Sequence, residues 1–507
     1  MSPSQGEGRG FKSRPPLNLK TMLLPKEVKK TLETIIKNGF QAFLVGGCVR
    51  DLILGRKPKD WDITTNAKPE EILNLFPLLS FYENRFGTVA VKTNSEDDSL
   101  KIIEVTTFRK EGKYLDFRRP DEVEFTSNLE TDLKRRDFTI NALAMDINGK
   151  IIDLFGGLND LQLKIIRTVG DPIERFKEDA LRMLRAIRLA CELDFIIEKE
   201  TLKSIKKNSY LIQYISYERI RDEFSRILMS KKAVLGIEIL RKTKLLKEIL
   251  PELDNCYKIG QNKHHKYDVY VHSLKSLDYA VSKEYPLFLR LSVLFHDIGK
   301  PLTKKGNGPD STFYNHEIVG AKITKRILER FRYPNDLIKK VVHLIRQHMF
   351  YLEIEKVTPA AVRRFVRRVG KENLEDLFKL RYADRIGSGV FKAEPYRLRY
   401  LKYLIEKVQI EPLTPKQLKI NGNDLINLGI PQGPRIGWIL KILLEEIIDE
   451  PSKNVKEYLI KKAEELKKLS DEELKNLAIK GEKKIEELEK KAEEKIRKKF
   501  YIKEDRK

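Results

Sequence analysis

The sequence predicts an α+β chain, with a small sheet-containing domain at the N-terminal end and mostly α-helical domains after it. Three observations carry this. Short strand-like runs, one of them ending at a glycine pair, are confined to the first 160 residues. From about residue 172 apolar residues recur at helical spacing, as in EDALRMLRAIRLACEL. All seven histidines fall between residues 264 and 348, which marks one helical block as chemically distinct.

At 507 residues the chain exceeds one compact core, and a prior of roughly 100 to 200 residues per domain gives three or four units. Lys plus Arg (99) exceed Asp plus Glu (75) by 24 charges, an excess that attracts a polyanion, so nucleic acid is the first partner to expect. A heat-adapted surface would explain the 34% of charged residues but not the sign of the excess. Cys48, Cys191 and Cys256 form no CxxC pair, which points to a reducing cytoplasm rather than a zinc knuckle or disulfide framework. The first twenty residues lack an apolar core, and no run of eighteen apolar residues occurs, so no membrane partner is expected.

In chain order, residues 1–26 read as a basic flexible head, and a short helix follows over 27–38. FLVGG (43–47) is a buried strand closing on glycines; TVAVK (88–92), KIIEVTTF (101–108) and ALAMDI (142–147) are further strands, with a helix at KPEEILNLF. Residues 27–160 make one α/β domain, 161–255 a helical region, 260–390 the histidine-bearing block, 410–460 a smaller helical unit, and 461–507 a Lys/Glu-rich helical tail. Ser470 and Glu473 form a capping box in that tail, and Ile485, Leu488, Ala492 and Ile496 a narrow apolar stripe.

The densest chemistry lies in LVGGCVRDLILGRKPKDWDITT, residues 44–65. Gly46 and Gly47 let backbone N–H groups approach a triphosphate with no Cβ in the way, and Arg50 is near enough in sequence to neutralise phosphate charge. Asp60 and Asp62 alternate across Trp61 on a strand, which puts two hard oxygen ligands on one face, a pattern suited to Mg²⁺. GG, RD and DxD within about twenty residues resemble the nucleotidyltransferase signature of the DNA polymerase β-like superfamily. Downstream segments narrow the resemblance to class II tRNA nucleotidyltransferases (CCA-adding enzymes) and bacterial poly(A) polymerases.

The resemblance implies a polymerase β-like sheet domain, two catalytic metals on Asp60 and Asp62, and a third carboxylate from a neighbouring strand, for which Glu104 is best placed by chain order. LKRRDFTINALAM (133–145) resembles the segment that contacts ribose and phosphates, which implies roles for Arg136, Asp137 and Asn141. KEDALRMLRAIR (177–188) puts Asp179 and Arg182 at i and i+3 of an expected helix, with Arg185 and Arg188 further along that side. Cytosine and adenine each present an amino donor beside a ring-nitrogen acceptor, so an Asp beside an Arg accepts C and A and rejects G and U without a template. The resemblance assigns this segment that role, and leaves Arg185 and Arg188 as phosphate or ribose contacts. ERIRDEFSRIL (218–228) resembles a helix-stabilising segment in which Glu218 and Arg221 make ion pairs.

The polar stretch TTFRKEGKYLDFRRPDEVEF reads as a flexible loop and resembles the full-length loop of enzymes that switch from C to A addition. NRFGTV (84–89) resembles the CCA-adding pattern, and the GRRF-type signature of poly(A) polymerases is missing.

VHSLKSLDYA, LFHDIGKP, NHEIVGAKI, IRQHM and YADR occur in that order and resemble the HD phosphohydrolase superfamily. The resemblance implies an HD helical bundle in which His272, His296, Asp297 and Asp384 hold a divalent transition metal, with His316 and His348 available for a second metal or a phosphate. His264, His265 and His343 read as structural. The leading expectation is a CCA-adding transferase using CTP and ATP on the tRNA 3′ end. An A-adding enzyme or poly(A) polymerase is the alternative within that chemistry, and an HD phosphohydrolase with a transferase-derived RNA-binding module the alternative outside it. Oligomeric state is left open.

Overall fold

The computed structural model describes residues 24–84, 87–112, 123–262, 266–350, 357–390, 392–408 and 414–478. It divides into two units, Met1–Ile249 and Leu250–Lys507. Among the described residues no helix is long and apolar enough to cross a membrane.

The first unit is built on a seven-stranded sheet of order β3-β4-β5-β2-β1-β8-β9. The strands are β1 (Ala42–Val45), β2 (Asp62–Thr65), β3 (Ser80–Asn84), β4 (Thr88–Lys92), β5 (Ile102–Thr107), β8 (Leu143–Met145) and β9 (Ile151–Asp153); β6 (Arg109–Glu111) and β7 (Val123–Phe125) pair as a separate hairpin. β2 runs parallel to β5 and antiparallel to β1, while β4 returns antiparallel along β5. Leu44, Ile63, Val89, Ile103 and Val105 are buried, and these β-branched and aliphatic residues are the ones a strand buries well. Helix α1 (Lys26–Lys37) buries Val28, Leu32 and Ile35 at helical spacing, and α2 (Gly47–Ile53) leaves directly from β1. Helix α3 (Pro69–Leu75) has proline in its first turn, and Glu71 accepts from the Lys68 N–H at 2.7 Å.

The expected strands and helices are present with ends shifted by a residue or two. Strands β3 and β9 were not expected: β3 (SFYEN) is an edge strand with exposed Phe81 and Tyr82 and no inward apolar face. The stretch expected to be a loop is entered by β6 and left by β7, and residues 113–122 lie outside the described residues. Helices α4 (Leu129–Lys134), α5 (Gly157–Leu163), α6 (Pro172–Glu178) and α7 (Leu181–Leu193) follow, and the helices Lys199–Asn208, Tyr217–Met229, Ala233–Lys242 and Leu245–Ile249 complete the unit. One two-residue strand pair, Ile165–Ile166 with Ile196–Ile197, interrupts the region expected to be wholly helical.

The second unit is helical. Its helices Val269–Ser282, Leu287–Phe295, Asn335–Gln347, Pro359–Val369, Leu374–Gly387 and Tyr396–Val408 share one core that includes Val293, Leu344, Phe365, Phe378 and Leu401. A smaller core joins Leu425, Ile439, Leu443, Ile447, Leu459 and Leu474. That core takes in Ala463, Leu466 and Leu474, so the first part of the expected tail is packed rather than free. Ser470 and Glu473 make the capping box at 2.7 to 3.3 Å; the stripe from Ile485 to Ile496 lies outside the described residues. Arg363, 4% exposed, donates to the Ile448 and Asp449 carbonyls at 2.6 and 3.2 Å and so caps the C-terminal end of the helix Pro434–Asp449.

Candidate active site

The nucleotidyl-transfer residues gather where β1 ends and β2 begins, beside the first half of β5. Gly46 has φ +82°, and a Cβ there would lie 3.1 Å from the Arg136 guanidinium and 3.5 Å from an Asp62 oxygen. Only glycine suits that conformation and that approach together. Asp62 stands at the first position of β2, in direct register with Glu104 on β5. Asp60 is not on the strand as expected: it occupies a bend just before β2 and is exposed, while Trp61 between them is buried. It remains electrostatically close, because its charge helps to raise both of the other carboxyls. Burial, then Asp60, pushes the Asp62 carboxyl up to about 6; burial, then Asp62 and Glu83, pushes Glu104 up to about 7. Acids crowded until they resist ionisation are a fitting seat for a divalent cation, which would relieve that repulsion. Glu83, on the edge strand β3, is a fourth acid that sequence reading passed over.

A polar chain links the other expected residues. Arg50 donates to Asn141 at 2.7 Å, Asn141 donates to Asp137 at 3.1 Å, and Asp137 pairs with Arg185 at 2.8 Å. Beneath it lies Asp132, fully buried and missed by sequence reading. It pairs with Arg135 at 2.7 Å and Arg136 at 3.4 Å and accepts from the Thr64 hydroxyl at 3.1 Å. Its signal was its spacing, i−3 and i−4 from the two arginines of the RRD segment.

The expected base-reading pair departs from the helical expectation. Asp179 is extended, at the junction of α6 and α7, and its carboxylate accepts from the Leu181 N–H at 3.0 Å. It pairs with Arg219 at 2.8 Å, while Arg182 is held by Glu178 at 2.5 Å and by the Arg135 carbonyl at 3.1 Å. Arg188 joins neither set: it is 6% exposed and pairs with Glu223 at 2.6 Å and Glu192 at 3.2 Å, which ties α7 to the helix Tyr217–Met229. In the stabilising segment Arg219 pairs with Asp179, Glu223 with Arg188 and Arg226 with Glu192, while Arg221 makes an ion pair with Asp222 at 2.8 Å.

The second unit gathers a separate set. His272 Nε2 lies 3.0 Å from His296 Nε2 and 3.3 Å from Asp384 Oδ1; His316 Nε2 lies 3.3 Å from His348 Nε2. Asp297 sits between the two groups, with Oδ2 3.2 Å from His272 and Oδ1 3.2 Å from His316. All six are buried. The Nδ1 atoms of His296, His316 and His348 face the Val293, Phe313 and Ile345 carbonyls at 2.7 to 2.8 Å, which turns each Nε2 inward. A Cβ at Gly299 would strike the His316 carbonyl, and one at Gly387 would strike Ser276 and the His272 carbonyl, so these glycines let the helices close on the site. Burial, His316 and His296 hold His348 well below the usual imidazole range; Asp297 and Asp384 stay well below the carboxylate range despite burial, held by His296 and Lys300 and by Arg381. Despite burial, Asp297 and Asp384 raise His272 and push His296 up to about 10, so a metal held here would take the place of their protons beside ionised carboxylate. The site opens into a cavity of about 820 Å³ whose lining includes Lys300, Arg381 and Arg385. His343 bonds the Val369 carbonyl at 2.6 Å and is structural, as expected; His264 and His265 lie outside the described residues.

The sheet, its acidic cluster and the helices that follow it along the chain define a nucleotidyltransferase. Residues 42–167 match the family model for the poly(A) polymerase head domain, 194–257 the probable RNA and SrmB-binding site of polymerase A, and 313–463 tRNA nucleotidyltransferase domain 2. The chain is 34% identical to the CCA-adding enzyme of Lactococcus lactis over 86% of its own length and 97% of that protein's. It is 36% identical to the CCA-adding enzyme of Ligilactobacillus salivarius over 87% and 98%. The crystal structure of the Bacillus stearothermophilus CCA-adding enzyme in complex with CTP superposes with a TM-score of 0.62 at 29% identity, covering 87% of this chain and 96% of that one. The chain belongs to the family of CCA-adding enzymes and is a tRNA nucleotidyltransferase.

Proposed function

We propose that this enzyme adds C, C and A in turn to tRNA 3′ ends, using CTP and ATP and no nucleic-acid template, in the cytoplasm. The observation that carries this is the register of Asp62 with Glu104 beside Gly46 and Arg136. Asp60, Asp62 and Glu104 hold Mg²⁺, which supplies activation of the 3′-hydroxyl and charge neutralisation at the leaving pyrophosphate. Gly46 and Gly47 leave room for the triphosphate, and Arg136 and Arg50 face its charge. Asp137 and Asn141 meet the ribose hydroxyls. Asp179 accepts from the amino group of C or A and Arg182 donates to the adjacent ring nitrogen, each exchanging its present partner, Arg219 or Glu178, for the base. The test is incorporation into tRNAs ending before CCA, after C and after CC. Addition only after CC would make the chain an A-adding enzyme, and unlimited A addition to unrelated RNA a poly(A) polymerase.

A second activity is favoured by the six-residue His/Asp cluster. Two transition-metal ions would be held there, one by His272, His296 and Asp384 and one by Asp297, His316 and His348, with the second Asp297 oxygen facing His272. Metal in this site supplies an activated water for phosphoester hydrolysis. The substrate proposed is a 2′,3′-cyclic phosphate, which would block the hydroxyl that the transferase needs. Loss of hydrolysis and of bound metal in Asp297→Ala, with CCA addition retained, tests it.

A further inference from the structure

The helix Tyr396–Val408 buries one face and leaves another aromatic. Leu398, Leu401, Ile405 and Val408 enter the bundle core. The opposite face carries Tyr396, Tyr400, Tyr403 and Lys407, at i, i+4, i+7 and i+11. The three rings form a column: Tyr396 and Tyr400 have centroids 6.1 Å apart at 17°, and Tyr400 and Tyr403 6.3 Å apart at 31°. Tyr396 is 61% exposed and Tyr403 48%. Lys407 Nζ lies 4.6 Å over the Tyr403 ring, and Arg397 and Arg399 are exposed beside the column; Glu406 is the single acid in the helix. The helix is held in place at its flank, where Lys402 pairs with Glu394 at 2.7 Å and Glu394 accepts from Tyr382 at 2.7 Å.

Single exposed aromatics are ordinary, but three ordered as a stack put apolar area into water that the bundle core does not require. A stack of rings with only two side-chain torsions each, already aligned and flanked by cations, suits a partner with flat π faces and a negative backbone, which is a nucleic acid. We propose that the Tyr396–Tyr400–Tyr403 column is an RNA-docking face, on which unpaired bases of the substrate tRNA stack while Arg397, Arg399 and Lys407 meet the neighbouring phosphates. The inference rests on the reading of the chain as a tRNA-acting enzyme and adds where outside the nucleotidyl site the RNA is gripped.

The test compares full-length wild type with two triple variants, Tyr396→Leu/Tyr400→Leu/Tyr403→Leu and Tyr396→Phe/Tyr400→Phe/Tyr403→Phe. Affinity for a tRNA lacking its CCA end is measured by gel shift, with KM for tRNA and for CTP in parallel. The leucine variant is expected to bind tRNA at least about five-fold more weakly and to raise KM for tRNA with KM for CTP unchanged; the phenylalanine variant keeps the ring faces and stays within about two-fold of wild type. Equal weakening in both variants would overturn stacking as the cause. If the wild type adds no C or A to the tRNA, the underlying reading has failed. If it does, and the leucine variant binds tRNA as tightly, that reading stands and the docking face is overturned. A variant that loses only self-association assigns the face to a second copy and overturns it equally.

Discussion

Asp62 and Glu104 face each other in register on adjacent parallel strands, and the Asp62 charge helps to raise the Glu104 carboxyl. Without a cation, burial and neighbouring acids put Asp62 at about 6 and Glu104 at about 7. A divalent cation binds only the ionised forms, so protons compete with it through that window. The apparent Mg²⁺ affinity should therefore rise from pH 6 to 8, measured as the Mg²⁺ concentration for half-maximal CTP incorporation. A flat profile across that range would sink the assignment.

The same crowding has a sign in stability. A carboxyl whose folded pKa is raised contributes most when protonated, and its contribution is lost as pH climbs from its unfolded value, about 4, through its folded value. In the metal-free protein at pH 8, Asp62→Asn should therefore raise the thermal midpoint while abolishing nucleotidyl transfer. Calorimetry with chelator present checks the first effect, and incorporation with Mg²⁺ the second.

Asp179→Asn keeps an oxygen to cap α7 at the Leu181 N–H but lets an amide donor face the base. CTP and ATP use should fall by about ten- to a hundred-fold, the worth of one charge-assisted hydrogen bond, while misincorporation of UTP rises. Competition between labelled nucleotides on a single tRNA reads both, and unchanged preference at similar turnover would remove Asp179 from base reading.

Arg188→Met makes the opposite prediction. Glu223 would be left buried without its partner, which costs on the order of 3 kcal/mol of stability by denaturant titration, with C/A selectivity unchanged in the folded fraction. Relaxed selectivity would return Arg188 to the nucleotide site.

In the second unit, wild type should hold two equivalents of transition metal by elemental analysis. His348→Ala should hold one, and Asp297→Ala fewer still, because its two oxygens face the two histidine groups separately. CCA addition should survive both changes. Retention of two equivalents by Asp297→Ala would exclude Asp297 as a ligand.

What was legible in sequence was whatever one short segment decides. β4 was read end to end because TVAVK alternates valines within five residues, and Gly46 and Asp62 could be singled out because their chemistry is local. Misreadings arose where a junction or a distant partner decides. Asp60 and Asp179 each lie one or two residues outside the element expected to carry them, because a strand start and a helix break are set by packing. Arg188 looks like a ligand in one dimension, but it pairs with Glu192 on its own helix and with Glu223, which another helix brings to it. Glu83 gave no motif at all, and Asp132 only its spacing from Arg135 and Arg136, because the meaning of both acids comes from the sheet.

Arg363 has a practical consequence for anyone dissecting the molecule. Its guanidinium lies inside the bundle yet is satisfied by carbonyls contributed some 85 residues later. A fragment ending near residue 410 would expose that cation to an emptied pocket, so a helical bundle truncated there for crystallography should be insoluble unless residues through at least 449 are retained or Arg363 is replaced by an apolar side chain.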